Sequence, residues 1–224
     1  MAIKLQIKMN ANLYLRDPEL SELGRSIIKE GIVLFYELGY EDFTFKKLAA
    51  KIGTTEASIY RYFENKHRLL TYVITWFWAM LEYQLMFYTN NMNDVKEKIN
   101  IAIELLTFRM GGHFLTGGVS NEMLSRIIIT EGNKSFLNRN VTVDNQAMLF
   151  KPYKDFCHKI AELFLEYRKD YAFPHSLASS LIEIAHHQLY FKDHLPRLTD
   201  FPNDKNSDEL VLFLKQLVFK NLEH

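Results

Sequence analysis

Residues 44–70 read TFKKLAAKIGTTEASIYRYFENKHRLL, and two short helices divided by Gly53 account for most of these positions. Thr44 offers an N-cap hydroxyl, and Phe43 before it is placed to staple onto Leu48, which predicts a first helix from Phe45 to Ile52. Gly53 ends it as a left-handed C′ residue. Thr55 caps a second helix, predicted from Glu56 to Phe63, whose Ile59 and Phe63 lie one turn apart on a single face. Its other face displays Glu56, Ser58, Tyr60 and Arg61. Two short helices around a tight glycine turn, the second with polar groups outward, describe a helix-turn-helix.

Working outward, Asp17-Pro18-Glu19 reads as N-cap, N1 proline and acidic first turn of a preceding helix. That helix is predicted to bury Leu20, Leu23, Ile27, Gly31, Leu34, Phe35 and Leu38 and to close at Gly39. On the other side Asn65 caps a long helix running from Lys66 toward Tyr88. Its stretch from Tyr72 to Tyr88 is apolar almost all round, but it falls short of the ~20 residues of a membrane span and contains Glu82 and Gln84. A helix packed within a folded domain explains it better. Further helices are predicted near Val95 to Met110, Val119 to Glu131, Val141 to Arg168, His175 to Asp193 and Ser207 to Asn221. The breaks are Gly111-Gly112, Gly117-Gly118, the polar stretch from Gly132 to Asn140, Pro174 and the loop from Pro196 to Asn206. The first dozen residues alternate at Ile3, Leu5, Ile7 and Met9, a pattern that fits either a short extended arm or one face of a helical turn.

The chain of 224 residues has no net charge, yet the segment from Thr44 to Arg68 carries +4 through Lys46, Lys47, Lys51, Arg61, Lys66 and Arg68 against Glu56 and Glu64. Such an island suits phosphates, although charge alone serves a solvated helix face equally well. A helix enters the B-DNA major groove when its outer face lacks apolar bulk and its neighbour fixes the angle of entry. Thr44 places a helix N-terminus where a phosphate can sit, and Lys66 opens the next helix on the other flank.

The segment from Thr44 to Leu70, with GRSIIKEGIVLFYELGYEDF before it, closely resembles the DNA-binding domain of the TetR family of bacterial repressors. The resemblance covers about residues 20–70 and is most specific at Ile59-Tyr60-Arg61-Tyr62-Phe63, Asn65-Lys66 and Leu69-Leu70. It implies an all-α fold in which an N-terminal three-helix helix-turn-helix domain, residues 1–66, joins a larger helical ligand-binding and dimerisation domain, residues 67–224. It further implies that Lys46, Glu56, Ala57 and Tyr60 face base edges, and that Thr44, Ser58, Arg61, Tyr62 and Lys66 touch phosphates. Glu56 departs from the family's common basic or amide residue: a carboxylate accepts from a cytosine amino group but cannot hold guanine as arginine does. Half-buried aromatic packing is the plainer reading of Tyr60 and Tyr62. Flanking a packed Ile59/Phe63 pair favours DNA contact instead.

One short helix makes few contacts, a shortage that dimers solve by reading two half-sites about 34–36 Å apart. The apolar stripes of the last two helices, with Leu177, Leu181, Ile184 and Gln188 and then Leu210, Phe213, Leu214 and Leu217, are the expected homodimer interface, shared with each subunit's own core. The resemblance also implies a small-molecule inducer bound among the C-terminal helices, acting as a two-state population shift. Trp76, Phe108, Tyr153 and Phe156 are candidate walls for it, in a set of aromatics that also includes Trp78 and Phe114.

Composition excludes several other classes. With 48% hydrophobic and 24% charged residues the chain is globular and not disordered. A single cysteine, Cys157, forms no intrachain disulfide or cysteine zinc cluster and reads as a buried small hydrophobe. No export signal is legible near the N-terminus, which places the protein in the cytoplasm with no membrane partner. Among eight histidines, His186 and His187 are adjacent and point apart, and no HExxH, GxSxG, Walker loop or dinucleotide fingerprint occurs. The expectation is therefore no enzyme, no metal and no cofactor, but a ligand-responsive regulator, most simply a repressor, of a double-stranded DNA operator. The rival is a helical small-molecule-binding protein or enzyme whose N-terminal domain no longer reads DNA, a reading prompted by Glu56.

Overall fold

The computed structural model describes residues 7–110, 119–202 and 208–223. Phe114 and the two glycine pairs lie outside these residues, as do Ile3 and Leu5. All regular structure among the described residues is helical. The α-helices are α1 (Glu22–Asp42), α2 (Phe45–Ile52), α3 (Glu56–Tyr60), α4 (Lys66–Thr89), α5 (Val95–Leu106), α6 (Asn121–Glu131), α7 (Val141–Gln146), α8 (Lys151–Tyr167), α9 (Pro174–His194) and α10 (Asp208–Glu223). By contacts the chain forms two compact units, Met1–Ala79 with His113–Pro152, and Met80–Gly112 with Tyr153–His224. No described helix is long and apolar enough to cross a membrane.

In the first unit α1 packs on α2 and α6, and Ile27, Phe35, Phe43, Leu48, Ile59, Phe63, Leu69 and Leu70 form a core exposed by 1% or less. The predicted caps at Thr44 and Thr55 are present, their hydroxyls accepting from the N–H of Lys47 and Ser58 at 3.2 Å each. Asn65 likewise accepts from Arg68 N–H at 2.9 Å. Phe43 stacks on Phe35 with ring centroids 4.0 Å apart, which anchors the turn between α1 and α2.

Several boundaries differ from the sequence reading, each for a local reason. Asp17 caps only a 3₁₀ turn, Pro18–Leu20, after which Ser21 caps α1 by accepting from Gly24 N–H at 3.0 Å. The turn folds back onto α1, leaving Leu20 75% exposed, and only a glycine fits beneath it, because a Cβ on Gly24 would lie 2.3 Å from the Pro18 carbonyl oxygen. Gly39, with φ +74°, breaks α1, but the helical run resumes to Asp42. The second helix of the motif stops at Tyr60, three residues early, and both Tyr62 and Phe63 N–H turn back to the Ile59 carbonyl. α5 ends at Leu106 before Phe108, which adopts φ +57°. The long helix expected from Val141 to Arg168 is two helices, divided at Met148 with φ +58° and restarted just before Pro152. Residues 7–10 have no regular structure and lead into a 3₁₀ turn, Ala11–Leu13, in which Leu13 is fully buried.

In the second unit α5, α9 and α10 pack together around Ile103, Leu105, Leu106, Leu181, Ile182, Ala185, Leu214 and Val218, all but completely buried. Surface ion pairs join Lys98 to Glu166 at 2.9 Å and Lys215 to Glu104 at 3.4 Å. Cys157 is half-buried and not fully so; burial pushes its thiol above the ordinary pKa, which disfavours the thiolate.

Candidate nucleic-acid interface

Ile59 and Phe63, both fully buried, fix α3 to the core from one side. On the other, Glu56, Ala57, Tyr60 and Arg61 are exposed and Ser58 is half-buried, with Tyr60 at 48%. The Tyr60 ring meets Phe45 edge-on at 4.9 Å, so its body is braced while the residue keeps about half of its exposure. Thr44 and Lys46 are exposed at the start of α2. The Ser58 and Thr55 hydroxyls lie 3.0 Å apart across the first turn of α3.

The structure sorts the basic island into committed and uncommitted charge. Lys51 pairs with Glu37 at 3.1 Å and lies 3.9 Å from Glu30. Lys47 donates to the Asp42 carbonyl at 2.8 Å. Arg68 binds Asp144 at 2.8 Å and lies 3.9 Å from Glu64. Lys46 and Arg61, both exposed, have no ion pair among the described residues. The positive charge left for a polyanion therefore stands at the front of α2 and the end of α3.

Two residues expected at phosphates have other tasks. Lys66 donates to the carbonyls of Tyr40 at 2.8 Å, Glu41 at 3.0 Å and Phe43 at 3.3 Å, and its ammonium lies 4.4 Å from the Tyr40 ring centroid. An ammonium has three N–H groups, and all three are used in closing the end of α1. Tyr62 is 3% exposed, and its hydroxyl shares a hydrogen bond of 2.8 Å with Ser21. Its carbonyl accepts Leu15 N–H at 2.8 Å, while Arg16 lies over its ring, so the N-terminal segment grips the end of the motif. Lys66→Ala is accordingly expected to lower stability by about 2 kcal/mol, read by urea denaturation, because three carbonyls lose a charged donor in partial contact with water.

Sequence reasoning missed two carboxylates. Glu131, at the end of α6 and 8% exposed, accepts Tyr40 N–H at 3.2 Å just after the Gly39 break. It also pairs with Lys134 at 3.0 Å, and Lys134 reaches Glu41 at the same distance. Burial opposes the charge on Lys134, but the hydrogen bonds it donates to Glu131 and Glu41 outweigh it and raise its pKa. Asp144, 1% exposed in α7, holds Arg68 and stands 3.9 Å from His67, whose pKa burial lowers despite that carboxylate. Nothing near Glu131 or Asp144 in sequence announces Tyr40 and Arg68 as their partners, which lie 91 and 76 positions away.

The other predicted residues divide between the units. Trp76 belongs to the first unit, and Phe108, Tyr153 and Phe156 to the second. Phe156 is wholly buried in the core, Tyr153 donates to Glu183 at 3.2 Å, and Phe108 stacks on His186 at 5.7 Å. Burial drives the His186 pKa down to about 4, with His187 adding to the effect, so His186 is neutral. Leu177, Leu181, Leu210 and Leu214 are buried within their own unit, Ile184, Gln188 and Leu217 are half-buried, and Phe213 is 39% exposed beside Leu212 at 56%. Among the described residues no three metal-ligating side chains come together.

Residues 27–73 match the family of bacterial regulatory proteins, tetR family. That stretch spans α2, α3, the greater part of α1 and the first turns of α4. This chain carries a TetR-family DNA-binding region. The family is described as one of bacterial regulatory proteins. Beyond that region, solved structures of similar fold cover most of the chain. A TetR-family regulator from Syntrophomonas wolfei is similar over 89% of this chain and 94% of its own, with 16% identity and a TM-score of 0.64. FadR from Bacillus subtilis, solved with stearoyl-CoA, is similar over 88% of this chain and 97% of its own, at 16% identity and a TM-score of 0.60. AibR, solved with isovaleryl coenzyme A and operator DNA, is similar over 87% and 97%, at 17% identity and a TM-score of 0.58. At such identities the likeness is one of fold. No protein of curated annotation matches the chain.

Proposed function

We propose that this protein is a ligand-responsive repressor that binds a palindromic operator as a homodimer in the cytoplasm and is released by a small-molecule inducer. Residues 1–66 read DNA and residues 67–224 bind ligand and dimerise. The observation that carries the reading is the exposed face of α2 and α3, where Lys46, Tyr60 and Arg61 stand uncommitted on a framework locked by Ile59 and Phe63. Lys46, Glu56, Ala57 and Tyr60 face base edges, and Thr44, Ser58 and Arg61 face phosphates. Tyr62 and Lys66 support that face from behind. Dimerisation uses Phe213, Leu217, Ile184 and Gln188, the members of the apolar stripes that keep exposure in the subunit, while the buried leucines beside them close its core. Two of the similar folds were solved with coenzyme A thioesters, so that class is the first inducer to test, with Phe108 and Tyr153 as candidate contacts.

Selection of random duplexes on the purified protein tests this directly. It should return an inverted repeat with half-sites about 10 bp apart or a multiple of it, bound with an affinity that falls steeply with salt. Tyr60→Ala and Arg61→Ala should each weaken binding about tenfold with unchanged melting temperature, and Arg61→Ala should reduce the salt slope by about 1. If both variants bind as well as the parent, the assigned face is wrong. Glu56→Gln should tighten binding to all duplexes by removing a charge that repels phosphate, and it should change the preferred base at one position of each half-site, read by repeating the selection.

A further inference from the structure

Within the first unit, beside the N-terminal segment, lies a cavity of about 360 Å³ lined by Ile7, Lys8, Met9, Asp17, Glu19 and Tyr72. That volume is in the range of small-ligand sites. Two of its walls follow from the Asp17-Pro18-Glu19 turn, in which Asp17 accepts Glu19 N–H at 2.9 Å and so holds the turn in place. Neither carboxylate has an ion pair among the described residues. Against them Lys8 is the one cation among the described residues of the lining, so these six residues carry a net charge of −1.

Tyr72 is the independent observation. Its side chain is 1% exposed and is clamped edge-on between Tyr14, at 6.2 Å, and Phe63, at 5.5 Å. Tyr72 is one of the residues lining the cavity, and its hydroxyl is buried with no hydrogen-bond partner among the described residues. Buried hydroxyls as a rule are hydrogen-bonded, and a phenol can accept as well as donate. Burial, together with Glu19 and Asp17, holds this phenol well above its ordinary pKa, so it stays a neutral O–H group.

We propose that this cavity binds a small organic ammonium ion, its nitrogen held by Asp17 and Glu19, one N–H directed to the Tyr72 oxygen, and its carbon chain against Ile7 and Met9. The carboxylates supply acceptors only, which matches a group that carries only donors. Their charge repels anions, and the apolar wall formed by Ile7 and Met9 suits an alkyl chain better than a hydrated metal ion. The site belongs to the DNA-binding unit, so it is separate from the inducer site proposed above and does not depend on it.

Calorimetry on the full chain tests the proposal with n-butylammonium as probe, n-butanol as its neutral match and butyrate as its anionic match. Saturable one-to-one binding of n-butylammonium is expected at about 1 mM, the affinity open to so few atoms, with no saturation by the other two. The double variant Asp17→Asn, Glu19→Gln keeps a capping acceptor at position 17 and should weaken binding at least about tenfold. Tyr72→Phe removes one oxygen without altering packing and should weaken it about threefold to tenfold at unchanged melting temperature. If the double variant does not fold, chemical-shift changes in the parent protein decide: they must centre on residues 7–9, 17–19 and 72. Absence of saturation at about 20 mM, equal binding of butyrate or butanol, unchanged affinity in the variants or shifts centred elsewhere would each overturn it.

Discussion

Acidification from pH 6.5 to about 4 is expected to remove on the order of 3 kcal/mol of stability through His186 alone. The imidazole is 8% exposed and stacks on Phe108, and burial lowers its pKa from 6.5 to about 4. The unfolded chain therefore takes up this proton first. Stability from His186 is complete above the unfolded value and is lost as pH falls toward the folded one. His67, whose pKa is also lowered by burial, contributes in the same direction. Urea titrations at a series of pH values measure the slope. His186→Phe preserves the aromatic stack and abolishes the titration, so its stability curve should be flatter over this interval. An identical acid limb in that variant would assign the loss to other groups.

Asp144→Ala is the second large effect, at about 3 kcal/mol. The carboxylate is buried in α7 and accepts from Arg68 at 2.8 Å, so its removal strands a guanidinium whose side chain keeps only 23% of its exposure. The cost sits at the low end of the range for broken buried pairs, because Arg68 retains Glu64 at 3.9 Å and some water. Asp144→Asn preserves an oxygen for one hydrogen bond and should cost about 1 kcal/mol. The ordering parent, Asn, Ala in chemical denaturation checks the assignment, and equal midpoints for all three would refute it. Under the proposed function, DNA affinity should fall in the same order, since Arg68 lies in the first turn of α4, shortly after α3.

Much of the helix-turn-helix was legible in residues 44–70 because its signals are short-range. Thr44, Thr55 and Asn65 each satisfy an N–H three positions on, so their caps needed no knowledge of the rest of the chain. The end of α3 was not legible in the same way. Ile59 and Phe63 continue a helical spacing on paper, yet Tyr62 is drawn into the core by Ser21, 41 positions away, and the helix stops at Tyr60. The split of the helix expected from Val141 to Arg168 carried a local sign in Pro152, but the turn at Met148 leaves the Leu149 carbonyl accepting from Thr75, 74 positions distant.

By itself, then, the amino-acid order determined the all-helical class, the two short helices with their glycine turn, the face turned outward on the second of them and the resemblance to one family of regulators. Local hydrogen bonds and apolar spacing suffice for these, since each depends on neighbours within a turn or two. Tertiary structure alone decided which charges remain available. It committed Lys66 to the end of α1 and Arg68 to Asp144, and among the described residues it left Lys46 and Arg61 without an ion pair. It also sank half of the apolar stripe of α9 and α10 into the subunit and left a phenol unpaired beside two carboxylates. A charge or a hydroxyl is spent or spared according to which acceptor folding brings within about 3 Å of it, and that acceptor is as often far away in sequence as near.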